Sequence, residues 1–361
     1  MIGIGSQKLE SSGFNHRVFL RIKTKYKQMN KHIFRLVLML TIVAGMVSCN
    51  DSLKSEQFEQ MASFKAEPND QGVTMAYVRY KPDGEVRYEL PVIISGSTAN
   101  AKNRAVHVGL DPDTLAILNH EQYGDRAELY FRQLDPKYYS MPKTIDIPAG
   151  QSTATIPIDF SLANLDESDK WVLPLQIVDS SQYDYKANPN KYYRRAMLRI
   201  TPFNDYSGTY GGTLYKIYLG DDTDPLTINE HRTFVVDDST IFLYAGTRDI
   251  DYLDRKNYKV FVRFTNDSID IQKRKLEIWS DNAMNNNFKV GSSQSYYTIE
   301  EEWDPKQPYM KHIYYTLYLS YSFEDYNTVP GQRLPYRVDG TLTMQRDLNT
   351  LIPDEDQQIQ W

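Results

Sequence analysis

The sequence predicts an all-β chain, a β-sandwich followed by an antiparallel meander that closes into a barrel or flattens into a second sandwich. Three observations predict it. Runs of β-branched and aromatic residues recur between clusters of Asp, Asn, Gly and Pro, the signature of strands and turns. Nothing alternates strand with helix, which excludes doubly wound folds and TIM barrels. Tyrosine is abundant, 28 residues against 14 Phe and 4 Trp, and its apolar ring with a polar tip suits sheets with one wetted face.

The elements follow in order. Residues 86–94 form one apolar stretch and 105–110 alternate. Residues 144–150 turn through Pro and Gly into 153–160, and strands over 171–178 and 196–200 come next. About seven such strands make a sandwich. Pro91, Pro157 and Pro174 lie inside these runs. Proline has no N–H for the ladder, so their strands are expected at sheet edges or bulges. Residues 111–136 break the pattern and are expected to hold a short helix or a long loop. Thr201-Pro-Phe-Asn-Asp205 is the expected boundary, with modules over 73–203 and 206–361. Strands then follow over 208–219, 232–236, 240–245, 258–264, 275–279, 295–302, 313–323 and 336–344. A simple succession of this kind is a meander that can remove its edges by closing, as lipocalin-like barrels do. Gly208 and Gly211-Gly212 are expected to permit a bend or close packing.

The amino terminus carries a different signal. From Met29 the chain reads Met-Asn-Lys-His-Ile-Phe-Arg, then an apolar run over 36–47, then Ser48-Cys49. A basic start, an apolar stretch of about a dozen residues and a small residue before the cleavage point make a secretory signal. The run falls short of the ~20 residues that cross a bilayer. Met46-Val-Ser-Cys49 resembles the loose lipobox of Bacteroidota lipoproteins, which implies lipidation of Cys49. The other reading is a buried thiol at the end of a membrane helix. Residues 1–48 are expected to be the signal, with Met29 the true start, and residues 49–72 a lipidated tether. Removal of 1–48 takes away 8 basic and 1 acidic residue from totals of 41 and 47, leaving a net charge of −13. So acidic a surface disfavours nucleic acid and anionic lipid, and contact with membrane is expected through the lipid anchor alone. With no second cysteine, each module must be held by its own packing.

Both halves resemble known families. Glu89-Leu-Pro-Val-Ile-Ile-Ser-Gly96, the run from Thr144 to Ile158 and Trp171-Val-Leu-Pro-Leu-Gln-Ile177 resemble an immunoglobulin-like domain, domain of unknown function 1735, of Bacteroidota lipoproteins. In that family the domain also precedes endo-β-N-acetylglucosaminidase domains. The segment from Tyr206-Ser-Gly-Thr-Tyr-Gly-Gly212 to Met344-Gln-Arg-Asp-Leu-Asn-Thr-Leu-Ile-Pro-Asp-Glu-Asp356 is similar to a second β-domain that often follows the first. The resemblance implies an outer-membrane, cell-surface lipoprotein encoded beside starch-utilisation-system-type importers, with a role in glycan capture. It carries over no catalytic residues.

Signals for chemistry are weak. Asp249-Ile-Asp-Tyr-Leu-Asp254 resembles the aspartate-rich strand of those glycosidases. The terminal glutamate is missing, Arg255 follows, and no room remains for a barrel of ~250 residues. The segment therefore reads as a solvated loop, and it lacks the glycine and glutamate of a calcium loop. His107, His120, His231 and His312 have no paired spacing, so no metal or other cofactor is expected. Asp113-Thr-Leu, Asp238-Ser-Thr and Asp267-Ser-Ile resemble the O-glycosylation sequon of Bacteroidota.

Binding remains. A sugar has a weakly apolar face and a rim of hydroxyls, so exposed aromatic rings beside polar groups are the natural platform. Candidates in turn-rich segments are Tyr296, Tyr297, Trp303 and Tyr309, and Tyr183, Tyr185, Tyr192 and Tyr193. Trp171 and Trp279 are expected in the core. The leading expectation is a non-enzymatic glycan-binding accessory of a polysaccharide-utilisation system, with the sandwich as a spacer and binding on the second module or at the interface. The alternatives are a lipoprotein that docks onto an importer complex without touching sugar, and a cryptic glycoside hydrolase.

Overall fold

The structure, a computed structural model, describes residues 58–82 and 84–353. Cys49 and the signal segment lie outside the described residues. Among the described residues, no helix is long and apolar enough to cross a membrane.

The first module contains β1 Met61–Phe64, β2 Thr74–Arg79, β3 Val86–Ser95, β4 Arg104–Leu110, β5 Phe131–Gln133, β6 Tyr139–Ser140, β7 Thr144–Ile147, β8 Thr153–Phe160, β9 Lys170–Ile177, β10 Lys186–Ala187 and β11 Arg195–Phe203. They form two sheets, ordered β10-β1-β3-β8-β6 and β2-β11-β9-β4-β7, with β5 added along β9. Alternation sends Leu90, Val92, Ile156, Ile158 and Phe160 from one sheet, and Leu173, Leu175, Ile177 and Leu198 from the other, into one core. Each contributes about 1.5–3 kcal/mol by leaving water. The module begins earlier than the sequence indicates. Met61–Phe64, expected within the tether, is a strand hydrogen-bonded to β3 and β10, with Ala62 and Phe64 buried. Four residues are too few for alternation to show.

The prolines also differ from expectation. Their strands are flanked on both sides, and each missing N–H points where a neighbour has ended. Pro91 O accepts from Lys65 N, just past β1. Pro174 O accepts from Asp111 N, just past β4. Pro157 lies beyond the two-residue pairing of β6 with Asp159 and Phe160. Carbonyl and nitrogen of one residue face the same side of an antiparallel ladder, so the local strand end replaces the sheet edge.

The interrupted stretch holds helix α1, Pro112–Tyr123. Asp111 caps it by accepting from Thr114 N, and Pro112 occupies the first turn, where its missing N–H costs nothing. Leu115, Leu118 and Tyr123 pack on Val73, Phe131, Val172 and Met197, covering the outer face of β9 and β11.

The second module contains β12 Gly208–Leu219, β13 Glu230–Val235, β14 Thr240–Tyr244, β15 Lys259–Ser268, β16 Arg274–Trp279, β17 Lys289–Val290, β18 Tyr296–Trp303, β19 Met310–Asp325 and β20 Leu334–Asn349. It is the meander the sequence predicts, and it closes: β20 pairs with both β19 and β12. Glycines permit the closure. A Cβ on Gly340 would stand 2.4 Å from Leu214 O, and one on Gly212 would stand 2.6 Å from Ile228 Cγ1. The register of β12 against β20 shifts between Gly211 and Leu214, so the glycine run serves bending and close packing alike.

Tyrosine fills this barrel. Tyr210, Tyr215, Tyr258 and Tyr321 are among the largest fully buried side chains, and their hydroxyls are engaged within the protein: Tyr210 donates to Tyr206 O at 2.7 Å and Tyr215 shares a hydrogen bond with Tyr321. Leaving a buried phenol O–H without such a partner costs about 1–3 kcal/mol. The surplus of Tyr is therefore partly interior.

Both modules belong to one compact unit. All five residues of β14 are buried: Ile241 and Leu243 face the barrel core, while Phe242 and Tyr244 join Phe234 in an outer cluster. Side chains from both modules cross the junction beside it. Glu167 accepts from Val235 N at 2.8 Å. Arg255, 1 % exposed, donates to Ser168 O at 3.0 Å and Glu128 O at 2.8 Å. Lys170, fully buried, pairs with Asp251 of the aspartate-rich segment.

Candidate functional site

A pocket opens at one end of the filled barrel. Where β14 runs into the 245–258 connection and β19 turns toward β20, a pocket of about 150 Å³ opens, lined by Gly246, Arg248, Tyr252, Phe323, Asp325 and Tyr336. Gly246 has φ +68, and a Cβ there would stand 3.1 Å from Phe323 Cζ, so the chain can turn over the Phe323 ring only without a side chain. Phe323 and Tyr336 are cross-strand partners of β19 and β20, with rings stacked at 5.2 Å. Tyr252, 43 % exposed, supplies a further ring from the loop. Thr247 and Thr328 add hydroxyls.

Arg248 organises the polar side of this mouth. Its guanidinium lies 3.8 Å from the Tyr258 ring centroid and reaches Asp325 at 2.8 Å and Asp254 at 3.3 Å. Burial alone would draw its pKa down, but the hydrogen bond it donates to Asp325 and the charge of Asp254 hold it up, so it stays a cation. Burial would raise the Asp325 carboxyl, yet Thr328, Arg248 and the Asn327 amide hold it well below the usual carboxylate range. Asp325 also accepts from Tyr258 Oη at 3.1 Å. One guanidinium against two carboxylates leaves the mouth slightly negative, which disfavours anions.

The candidate aromatics are dispersed. Tyr297 is 3 % exposed in the barrel core and donates to Thr265 O; Tyr185 is 3 % exposed in the sandwich core and donates to Val178 O. Neither offers a face, a correction to the platform reading: alternation and the apolar ring carry both inward. Tyr296 stacks on Tyr318 at 5.1 Å, and Tyr183 stacks on His107 at 4.1 Å; both are half-buried. Trp303 and Tyr309 are exposed at the end of the barrel opposite the mouth. Tyr192 and Tyr193 are exposed on a short helical turn of the sandwich. Trp171 and Trp279, expected in the core, are half-buried; Trp279 stacks on Phe261. Of the glycosylation-type triplets, Thr114 is buried and donates to Asp111, whereas Ser268 is exposed.

Sequence reasoning missed Arg248, Tyr252 and Tyr336. The aspartate-rich segment is a largely exposed turn, as expected, but its Asp251 and Asp254 anchor Lys170 and Arg248. The usable signal was Gly246, a turn residue directly after a buried strand. Among the described residues, no group of three or more His, Cys, Asp or Glu is placed to hold a metal.

Comparisons place this architecture among known proteins. The model of a domain of unknown function, DUF4973, matches residues 53–181, and a second model, described as a C-terminal domain, matches residues 194–343. A Bacteroides ovatus protein of unknown function is 41% identical, with 86% of this chain and 97% of that chain covered and a TM-score of 0.74. A Bacteroides ovatus multidomain protein including DUF1735 is 37% identical over 84% of this chain and all of that one (100%), with a TM-score of 0.73. An auxiliary nutrient binding protein from Bacteroides thetaiotaomicron is 38% identical over 80% of this chain and 96% of that chain, again with a TM-score of 0.73. No curated protein matches.

Proposed function

We propose a function from one premise: this chain belongs to the Bacteroides family that includes the multidomain protein with DUF1735 and the auxiliary nutrient binding protein just compared. In our reading it is a nutrient-binding accessory of the cell surface whose ligand is a neutral glycan, held at the open end of the barrel. It is tethered to the outer membrane through lipid on Cys49 and serves a polysaccharide importer.

The observation that carries this reading is the mouth itself. Tyr252 and Tyr336 flank a pocket of about 150 Å³, with the buried Phe323 ring stacked beneath Tyr336, room for one sugar ring. Aromatic faces match the C–H face of a sugar, and Thr247, Thr328 and Arg248 with its two carboxylates supply donors and acceptors for hydroxyls. Barrel mouths are recurrent ligand sites. Binding rather than catalysis is the better reading because Arg248 engages both carboxylates of the mouth. Asp325, saturated with hydrogen bonds and held ionised, is not a proton donor.

Calorimetry of the full chain against neutral plant and host oligosaccharides is the test. At least one should bind, and Tyr252→Ala should weaken it about tenfold, the ~1.5 kcal/mol scale of a well-stacked ring. If the folded protein binds none, the reading falls. A second reading, assembly onto an importer without sugar contact, has one observation in its favour. Trp303, Tyr309, Leu351 and Ile352 are all exposed near the far end of the barrel, where Thr350 N donates to Tyr309 O; an apolar surface of this kind suits a protein partner. Co-purification lost on Trp303→Ala would support it.

A further inference from the structure

We propose that the sandwich carries a second carbohydrate site, a groove on its outer surface shaped for an uncharged, hydroxyl-rich ligand with an apolar face; this rests on the glycan reading above. The groove has a volume of about 240 Å³, larger than the barrel mouth. Three segments build it: the turn between β1 and β2, helix α1, and the helical turn Lys191–Arg194.

Each wall is fixed by a specific contact. Asn69 Oδ1 accepts from the amides of Gln71 and Val73 at 3.0 and 3.3 Å, curling the first turn tightly. Gly72 follows with φ +77, and a Cβ there would stand 2.7 Å from Leu118 Cδ1, so the turn seats against the helix because this residue is glycine. Asp111 does double duty on the second wall: it caps the helix through Thr114 N and takes Arg195 Nε at 2.7 Å, locking the strand that carries Arg195 to the helix start. Leu118 and Met197, 5 % and 6 % exposed, lie among the lining residues as apolar surface.

The rim decides the ligand class. Its two cations are each matched to a carboxylate, Arg195 to Asp111 at 2.7 Å and Lys191 to Glu121 at 3.8 Å. Asp70 adds one further acid. No net positive charge remains to attract an acidic sugar or a phosphate, yet donors and acceptors abound, with Gln122 and Thr74 among them. Tyr192, 55 % exposed, stands on this rim. An exposed ring beside apolar floor and polar groups without net positive charge is the combination a neutral sugar requires. The sandwich then does more than hold the barrel off the membrane.

Calorimetry and saturation-transfer NMR of the full chain with cellohexaose, maltohexaose, chitohexaose and a polygalacturonate hexamer test this. A neutral hexamer should bind at two sites per chain. Tyr192→Ala, a surface change that leaves the fold intact by circular dichroism, should abolish one site and leave the affinity of the other within twofold. Tyr252→Ala should weaken the other about tenfold. One site per chain, unaffected by Tyr192→Ala but weakened by Tyr252→Ala, overturns the groove and leaves the barrel reading standing. Preferential binding of the acidic hexamer at the Tyr192 site also overturns it. Binding of no probe overturns both.

Discussion

The sandwich and the barrel enclose apolar cores with strands of very different length, and their free surfaces differ accordingly. In the sandwich most strands are short, and prolines sit where a neighbour has just ended, so helix α1 and tight turns must cover the outer face. The groove is a by-product of that covering. In the barrel, β19 and β20 each run 16 residues and close the sheet completely, and tyrosine occupies the interior. The pocket lies at its end. Closure into a barrel therefore does not supply a deep calyx; the side-chain volume inside decides that.

The largest effect should come from breaking the bond between the two modules. Arg255→Ala removes a buried guanidinium and orphans Ser168 O and Glu128 O. A loss of about 3–5 kcal/mol is expected, seen as a lower midpoint of a single unfolding transition. If the modules melt separately and one keeps its wild-type midpoint, they do not form a cooperative unit.

Glu167 sharpens the same comparison through pH. Burial pushes its carboxyl up to about 8, against the opposing hydrogen bond from Val235. The folded state holds this proton more tightly than the unfolded state. The stabilisation is complete below the ordinary value of 4.5 and is lost as pH rises through about 8. Glu167→Gln keeps an acceptor for Val235 without the charge. It should raise stability at pH 8 by about 1–3 kcal/mol and flatten thermal melting between pH 5 and pH 8; an unchanged slope would place the pH dependence elsewhere.

Within the barrel, Tyr215→Phe should cost about 1–2 kcal/mol by leaving the Tyr321 hydroxyl one partner short. In a double-mutant cycle with Tyr321→Phe the two losses should be clearly less than additive. Smallest of all, Pro157→Ala in the sandwich should change stability by less than ~1 kcal/mol, because the N–H it restores faces past the end of β6. A loss well beyond that would mean the proline ring itself packs in the core.

Most of the strand pattern was legible because alternation and turn residues are local: β8 and β12 match the sequence reading residue for residue. What escaped was either too short or held by distant partners. β1 has four residues, and its identity comes from pairing with β3 and β10. Helix α1 was visible only as a break, although Asp111-Pro112 is a start signal. The candidate aromatics were chosen from turn-rich sequence, which cannot tell a ring folded inward, such as Tyr185 or Tyr297, from one left outside, such as Tyr192. The barrel mouth joins Arg248 and Tyr252 to Phe323 and Tyr336, roughly eighty residues away, and the hairpin register that brings them together is invisible in a single sequence.

The most direct test is a crystal structure of the full chain grown with the tightest-binding neutral oligosaccharide from the panel. A sugar ring against Tyr252 and Tyr336, with its hydroxyls toward Arg248 and Thr328, is the predicted result. A ligand bound in the crystal while the barrel mouth holds only water would contradict it.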